Sequence, residues 1–405
     1  MSLPILRRLV PALALLCLAA FARPAGASAL FVPSQYATIQ AAVNASVSGD
    51  LVLVDDGTYA GPGNVDVDFG GRNVTVRSQN GASSTFIDCG GSANAFHRAF
   101  TLHSGETGAV IQGFTIENGN ESVGNGGPNS FGGAISNTGL GLTVQNCVLK
   151  NNAAYFGGGV YNHNNGAGTL KLIGCTFLGN TASGAGGGVF NQNDTAGTCA
   201  LTRCTLTANA APSGGGLYNR NTGGGKLTLS SCTLAGNAAG SYGGGLYDVS
   251  EAGGGASALT NCVLTGNTVN AGGLQGGVGD AVYNYVAQNG TFTAFNCTFT
   301  GNSDPTSPCL YNVNTGGGTT VLTNDVLYGD AGGEITDGLG ASTVTDCDVQ
   351  GGYVGTANLN ADPLFVSASN LQLQPGSPCL GAGTATGAPI VPRFSPMRRR
   401  SASIA

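Results

Sequence analysis

Two short motifs, Cys204-Thr-Leu-Thr-Ala-Asn209 and Gly214-Gly-Gly-Leu-Tyr-Asn219, recur through the middle of the chain and determine its fold. Further copies of the first motif begin at Cys147, Cys175, Cys232, Cys262 and Cys297. Subtracting successive cysteine numbers gives periods of 28, 29, 28, 30 and 35 residues. Further copies of the second motif begin at Gly157, Gly186 and Gly243. Self-similarity at a period of this length is typical of a solenoid, in which each repeat packs on the next.

Each period contains three short β-like segments and no helical spacing. Alternation within them predicts that Leu227 and Leu229 point inward, and that Cys232 and Leu234 do so on the following strand. The change of phase between these strands predicts a tight corner, where Asn tolerates left-handed backbone; the residues at this corner include Asn146, Asn261 and Asn296. We therefore predict an all-β, right-handed, single-stranded parallel β-helix of about ten or eleven coils.

The two ends of such a rod are open sheet edges that need a cover. Residues 38–46, Thr-Ile-Gln-Ala-Ala-Val-Asn-Ala-Ser, predict a short capping helix before the first strand. At the other end, Asp362-Pro-Leu-Phe and the segment Leu371-Gln-Leu-Gln-Pro-Gly-Ser-Pro-Cys-Leu predict a closing turn.

Composition supports a packed solenoid and excludes several classes of protein. The 405 residues include 70 Gly and are 41% hydrophobic but only 9% charged, which is the opposite of a disordered chain. The glycines are clustered and not placed at every third position, which excludes collagen. Since the net charge is −6 and the middle of the chain is almost free of cations, we expect no nucleic-acid partner. The same charge argues, less strongly, against polyanionic sugars.

The first residues have the pattern of a secretory signal. Arg7 and Arg8 precede a short apolar run, and cleavage is expected after Ala27-Ser28-Ala29, with Ala25-Gly26-Ala27 as the alternative. The predicted organisation is a signal peptide at 1–29, the β-helix with its caps at 30–387, and a basic tail at 388–405. With no integral membrane segment after signal removal, we expect a secreted protein or one associated with the cell surface or outer membrane.

Three stretches carry a resemblance to known families. Tyr36-Ala-Thr-Ile-Gln-Ala-Ala-Val, followed by Gly49-Asp-Leu-Val-Leu-Val and Gly57-Thr-Tyr59, resembles the entry of the pectin-lyase-like superfamily of right-handed β-helix proteins. The central repeats resemble those of chlamydial polymorphic membrane proteins, which are outer-membrane adhesins. The resemblance implies the fold; because this fold supports many activities, it leaves the function open.

Candidate metal ligands are few. Asp55, Asp56, Asp66 and Asp68 form the densest group of carboxylates, and oxygen ligands of this kind suit Ca²⁺. The alternative is a set of ordinary turn and surface aspartates. No other cofactor is expected. The three histidines, His97, His103 and His163, are interpreted as loop residues.

The cysteines occupy one slot in six successive coils. Stacked strands are about 4.8 Å apart, too wide for disulfides between equivalent Cβ atoms, so we expect a column of buried thiols. Cys199 aligns with Leu170 of the preceding coil, which supports cysteine as a filler of the core. Cys89, Cys309 and Cys379 lie outside the column, and their pairing is left open.

The aromatic residue of the second motif also recurs. If Val160 and its equivalents point inward, a column of rings points outward and suits sugar rings or a partner surface; its members are Tyr161, Phe190, Tyr218, Tyr247, Tyr283 and Tyr311. The alternative is that loops cover the rings. Because no acid/base set typical of the fold is present, we predict a non-catalytic, adhesin-like protein that binds an extracellular polysaccharide or a cell-surface partner. The alternative function is a polysaccharide lyase or glycoside hydrolase.

Overall fold

A computed structural model describes residues 26–92, 94–122, 130–270 and 277–384. Residues 1–25 of the predicted signal peptide, the last residues of the predicted β-helix (385–387) and the predicted tail at 388–405 lie outside this part. The fold is the predicted all-β parallel β-helix, with about nine turns, close to the ten or eleven expected. Its three long sheets contain twelve, eleven and ten strands, because partial coils at both ends add strands, and a fourth sheet contains six.

Sheets I and II form two neighbouring faces of the solenoid. The strands of sheet I are Ala29–Val32, Leu51–Val54, Thr75–Ser78, Ala109–Gln112, Gly141–Gln145, Thr169–Ile173, Thr198–Thr202, Lys226–Ser230, Ala256–Thr260, Thr291–Phe295, Thr319–Thr323 and Thr343–Thr345. The strands of sheet II are Gly57–Ala60, Thr85–Asp88, Thr115–Glu117, Val148–Lys150, Thr176–Leu178, Thr205–Thr207, Thr233–Ala235, Val263–Thr265, Thr298–Thr300, Val326–Leu327 and Asp348–Val349.

Sheets III and IV complete each coil. The short strands of sheet III are Asn120–Glu121, Ala153–Phe156, Thr181–Ala185, Ala210–Ser213, Ala238–Tyr242 and Thr268–Val269. The strands of sheet IV are Val67–Asp68, Phe100–Leu102, Ile135–Asn137, Val160–Asn164, Val189–Asn193, Leu217–Asn221, Leu246–Ser250, Val282–Val286, Leu310–Asn314 and Ile335–Leu339. All pairing within the four sheets is parallel, so equivalent residues of successive coils lie beside one another.

Inward and outward positions follow the predicted alternation. Leu227, Leu229, Cys232 and Leu234 are all buried. At the corner between sheets I and II, the three predicted asparagines have left-handed φ angles of 51°, 54° and 54°, at Asn146, Asn261 and Asn296. The change of phase read from the repeat is therefore a real change of strand direction.

The cysteine column is confirmed as part of the core. All eleven cysteines of the described residues are free and buried, including Cys89, Cys309 and Cys379, which the sequence left open. Cys199 pairs in register with Leu170, as the repeat predicted. Burial raises the pKa of Cys147 to about 11, so its thiol stays neutral and behaves as a small hydrophobic group.

Asparagines form hydrogen-bonded columns inside the solenoid, of which two are long and a third joins only Asn164, Asn193 and Asn221. The corner ladder, between sheets II and III, consists of Asn152, Asn180, Asn209, Asn237, Asn267 and Asn302. The sheet IV ladder consists of Asn137, Asn162, Asn191, Asn219, Asp248, Asn284 and Asn312. In the corner ladder, the side-chain Nδ2 of one coil donates to the side-chain Oδ1 of the next, and the sheet IV ladder does the same except between Asp248 and Asn284. Most of these buried amides are thereby paired from coil to coil.

The triple-glycine segment exists because two backbones approach closely there. Gly157 has φ +68°, and a Cβ on it would lie 2.4 Å from the Val160 oxygen. A Cβ on Gly158 would lie 2.3 Å from the Thr181 oxygen and 2.5 Å from the Gly187 oxygen. Only glycine fits such contacts, and the turn it allows sends the chain from sheet III into sheet IV.

Both ends are covered, as predicted. The helix Ile39–Ala45 begins at the N-cap Thr38 and buries Ile39, Ala42 and Val43. Its Gln40 accepts from the Asp68 N–H at 2.7 Å and donates to the Asp68 carbonyl at 3.0 Å, which satisfies the edge of sheet IV. At the other end, an antiparallel hairpin of Phe365–Ser367 and Asn370–Leu373 closes the rod. Within the described residues no helix is long and apolar enough to cross a membrane.

Candidate functional site

The six predicted aromatic rings form one column on the outer side of sheet IV. Tyr161, Phe190 and Tyr218 pair in register, and the next three rings continue the series to Tyr311. Their neighbours Val160 and Asn162 are fully buried on the inner side. The parity predicted from the repeat is therefore correct.

Ring stacking divides this column. Phe190 and Tyr218 lie face to face, with centroids 4.9 Å apart and planes 3° apart. Tyr247 is turned by 74° from Tyr218 and by 70° from Tyr283, at 4.9 Å from each. Rings in a stack use their faces on each other and present edges and hydroxyls outward. Tyr247 interrupts the stack and is the point where the column changes character.

Rings that the sequence interpretation missed cover two of the six rings of the column. Phe131 stacks on Tyr161 at 4.6 Å, and Phe156, at the end of a sheet III strand, lies 4.8 Å from Phe190. As a result Tyr161 and Phe190 are only 7% and 5% exposed. For these two residues the alternative reading, rings covered by neighbours, describes the structure.

The other four rings of the column remain accessible. Tyr218, Tyr247, Tyr283 and Tyr311 are half-buried, and Tyr242 of sheet III joins them, 4.9 Å from Tyr283. Burial raises the pKa of Tyr218 and of Tyr283 above the usual value, so these phenols stay protonated and can donate hydrogen bonds. We call these five residues the open tyrosine segment.

A second outward row of polar side chains runs beside the rings, two residues further along each strand. It contains His163, Gln192 and Arg220. Arg220 makes a bidentate pair with Glu251, at 3.2 and 2.9 Å. His163 lies in a strand and not in a loop, contrary to the prediction, and its Nε2 is 2.6 Å from Asp194 Oδ2.

The carboxylate of Asp194 is held in its charged form. Burial acts to raise its pKa, but hydrogen bonds from Gln192 and His163 outweigh burial and hold the pKa below its usual value. Together with the Arg220–Glu251 pair, it gives this row fixed donors and acceptors beside the rings. Such a surface can bind sugar hydroxyls, whereas an ionised Asp194 has no proton to give as a general acid.

The four predicted Ca²⁺ ligands are held by separate partners. Asp66 Oδ2 lies 2.7 Å from His97 Nδ1, and Asp68 Oδ2 lies 3.2 Å from His103 Nε2. Asp66 has a left-handed φ of 53° and precedes the strand, so it does not share a strand face with Asp68 as expected. Asp56 accepts from Asn80, and the Asp55 backbone oxygen accepts from Tyr59. The structure does not gather three of the four within metal-binding distance of one another.

Comparisons with known proteins give similarity at the level of fold alone. No family model and no curated protein sequence matches the chain. Among solved structures it is similar to XylC in complex with xylose, at 8% identity and TM-score 0.48, covering 79% of this chain and 73% of that one. It is also similar to pectate lyase Pel9A, at 13% identity and TM-score 0.41, covering 89% and 90%. The pectin methylesterase from Aspergillus niger gives 15% identity and TM-score 0.37, covering 77% and 87%.

Proposed function

We propose that this chain is a polysaccharide-binding β-helix, and that a glycan lies along sheet IV over the open tyrosine segment and the adjoining polar row. The observation that carries the proposal is the accessible run of rings that begins at Tyr218. Tyr161 and Phe190 are buried, whereas the rings from Tyr218 onward are accessible, and the Arg220–Glu251 pair lies beside the first of them, two residues further along the strand. Aromatic surface beside fixed polar groups is a combination that recognises sugars.

Charge narrows the class of glycan. The net charge is −6, and on this face Arg220 is neutralised by Glu251. A polyanionic polysaccharide would therefore find no excess positive charge to attract it. The binding of a neutral polysaccharide does not depend on such attraction. We propose a neutral, extended polysaccharide as the ligand, and a non-catalytic, adhesin-like role outside the cell.

Affinity electrophoresis with neutral xylans, glucans and mannans, and with pectate and alginate as charged comparators, tests this proposal. Replacing Tyr247 and Tyr283 together by Ala is expected to weaken neutral-glycan binding by about tenfold or more, equivalent to about 1.4 kcal/mol. The matched control is Phe96→Ala, because Phe96 is an exposed ring (39%) before the sheet IV strand Phe100–Leu102, which lies five strands from the strand of Tyr247. Equal binding by the double variant and the control, or no binding by the wild-type chain, would show that the face is not a glycan site. Circular dichroism establishes that both variants fold.

A catalytic role is the second candidate, and the His163–Asp194 pair favours it. An ionised carboxylate that orients an imidazole is a common way to prepare a general base. Lyase action would produce unsaturated ends, and hydrolysis would produce reducing ends. Assaying the same polysaccharides for both products, with His163→Ala as the variant, separates binding alone from binding with turnover.

Export is part of the proposal and has its own test. The first strand begins at Ala29, and the Ser28 N–H donates to Asp50 Oδ1 at 2.8 Å. Cleavage after Ala27 would keep this strand whole, whereas cleavage after Ala29 would remove its first residue. N-terminal sequencing of the protein recovered from the medium or cell envelope distinguishes the two sites, and an uncleaved N-terminus would contradict export.

A further inference from the structure

Near the closed end of the rod, three acidic groups from two successive coils meet inside the protein. Cys309 immediately precedes one strand of sheet IV, and Glu334 immediately precedes the next. The Cys309 N–H donates to the Gly333 carbonyl and the Leu310 N–H to the Glu334 carbonyl, which holds the two segments together. Asp330 approaches from the corner after sheet II. One ligand atom from each of Cys309, Asp330 and Glu334 lies within 4.8 Å of the others.

Asp330 is where the corner ladder ends. Its Oδ1 accepts from the Asn302 N–H at 2.6 Å and from Asn302 Nδ2 at 2.8 Å, in the same way that each asparagine oxygen accepts from the coil before it. The second oxygen, Oδ2, continues no ladder. Asp330 Oδ2 therefore needs a hydrogen-bond donor or a cation from outside the ladder.

Two oxygens of this cluster lack any donor. Asp330 Oδ2 and Glu334 Oε2 are buried and have no hydrogen-bond partner. Glu334 as a whole is only 5% exposed, and Cys309 is fully buried. An unpartnered buried carboxylate oxygen is costly, and a cation is the usual partner where several such oxygens converge. In a chain that is only 9% charged, so close a group of buried acids is a specific feature.

We propose that Cys309 Sγ, Asp330 Oδ2 and Glu334 Oε2 bind a divalent metal ion of the zinc class, which ties the last coils of the solenoid together. Zinc accepts sulfur and carboxylate ligands together at about 2.0–2.3 Å and prefers four of them. A thiolate is a poor ligand for Ca²⁺ or Mg²⁺, which select oxygen. Water would supply the fourth ligand. This site is independent of the glycan face.

A single proton shared by Asp330 Oδ2 and Glu334 Oε2 would satisfy the same two oxygens without a metal. Consistent with this protonated state in the metal-free protein, burial and the neighbouring Asp330 raise the pKa of Glu334 to about 9. The two arrangements differ in the role of the Cys309 sulfur. It is a ligand when a metal is bound, whereas it takes no part when the two carboxylates share a proton. The experiment therefore measures whether the Cys309 thiolate binds the metal.

The test is titration of the chelator-treated, full-length chain with Co²⁺ and with Zn²⁺. We expect one Co²⁺ per chain, a thiolate-to-cobalt charge-transfer band in the near ultraviolet, and displacement by Zn²⁺. Zn²⁺ should also raise the thermal midpoint, with the logarithm of its free concentration once that concentration exceeds Kd. Glu334→Gln, which keeps shape and thiol, should weaken binding by about tenfold or more.

Cysteine variants make the result specific. Cys309→Ala should abolish the charge-transfer band, and Cys262→Ala, another fully buried thiol outside the cluster, should keep it. If the band is absent from the wild-type chain, or if it persists in Cys309→Ala, the metal site is overturned and the shared proton stands. Should Cys309→Ala fail to fold, Glu334→Gln decides the question, because unchanged Co²⁺ affinity in that variant overturns the proposal equally.

Discussion

The corner ladder and the sheet IV ladder stack the same side chain through the same coils. Each ends at an aspartate, Asp330 or Asp337, but only the sheet IV ladder is also interrupted by one, Asp248. In the corner ladder, amide nitrogens donate from coil to coil at 2.9–3.0 Å until Asn302 meets Asp330. In the sheet IV ladder, Asn219 donates to Asp248 at 2.7 Å, and the next member, Asn284, receives nothing from it.

The difference follows from the direction of the hydrogen bonds. Each asparagine accepts from the preceding coil and donates to the following one. A carboxylate can accept but cannot donate, so it is a suitable last member and a costly middle one. Asp248 Oδ2 and Asn284 Oδ1 are consequently two buried acceptors in register with no donor between them. An aspartate therefore destabilises a ladder when it is a middle member and does not when it is the last member.

The largest effect is expected from placing an aspartate in the middle of the corner ladder, where the sheet IV ladder has Asp248. In Asn209→Asp, an oxygen replaces the Nδ2 that donates to the Phe177 carbonyl at 3.1 Å and to Asn237 Oδ1 at 2.9 Å. The Phe177 carbonyl and Asn237 Oδ1 each lose this Nδ2 donor and face the new oxygen, although Asn237 Oδ1 keeps the residue 209 N–H at 3.1 Å. Together these changes should lower the free energy of unfolding by about 2–5 kcal/mol. Urea unfolding followed by far-ultraviolet circular dichroism measures it.

The control for this change is Asn94→Asp, which makes the same replacement at an exposed position. It should alter the urea midpoint little, because surface substitutions usually stay within about 0.5 kcal/mol. If the two variants unfold at the same urea midpoint, the donor–acceptor order of the side-chain hydrogen bonds in the corner ladder does not stabilise the fold.

The opposite change should repair the interrupted ladder. Burial raises the pKa of Asp248 to about 6, although hydrogen bonds from Asn219 and Ser257 act to lower it. Asp248→Asn removes the buried acid and places an Nδ2 donor beside Asn284 Oδ1. At pH 7 we expect it to increase the free energy of unfolding by about 1–3 kcal/mol, again measured by urea unfolding.

The pH dependence gives this prediction its sign. Because the folded pKa of Asp248 lies above the unfolded value of 3.8, the folded state holds the proton more tightly. Its contribution is complete below the unfolded pKa and is lost as pH rises through about 6, by about 3 kcal/mol in total. The advantage of Asp248→Asn should therefore grow between pH 4 and pH 7. A constant difference across that range, or one matched by the exposed control Asp56→Asn, would contradict the interpretation.

The sequence predicts well whatever depends on strict repetition. Spacing alone placed Leu227 and Cys232 inside and the rings of sheet IV outside, because parity is preserved wherever the strands stay in register. It failed to place Phe156, since the pairing of that strand shifts register between Ala154 and Phe156. The rings that cover Tyr161 and Phe190 therefore could not be predicted from alternation.

Several residues of the candidate sites occupy irregular positions, which the repeat does not describe. The final Asn of the first motif was visible in every central copy, but hydrogen-bond direction has no sequence signature. Cys309, Asp330 and Glu334 are brought together by loops of unequal length near the end of the rod, where the period is no longer constant. His163 and Asp194 are 31 residues apart and meet only because successive coils stack.

The smallest effect is expected at the outer corner between sheets I and II, where the same coils accept several residue types. Ser231 has a left-handed φ of 54°, and its equivalents include Arg203 at 52° and Gly174 at 62°. The ladders require one side chain for its hydrogen bonds, whereas this corner requires only a backbone conformation. Ser231→Gly removes a left-handed penalty of about 1–2 kcal/mol and adds about 0.5–1 kcal/mol of chain entropy.

The net result should be a gain of about 0.5 kcal/mol in the free energy of unfolding. The matched control is Thr233→Gly, two residues later in a sheet II strand, where extended backbone favours a β-branched residue and glycine should cost about 1 kcal/mol. Paired urea titrations of the two variants measure the contrast. At this corner only the backbone conformation is expected to matter. If Ser231→Gly lost as much stability as Thr233→Gly, the Ser231 side chain would itself stabilise the fold, as a ladder asparagine does. The distinction between the inner ladders and the outer corner would then be wrong.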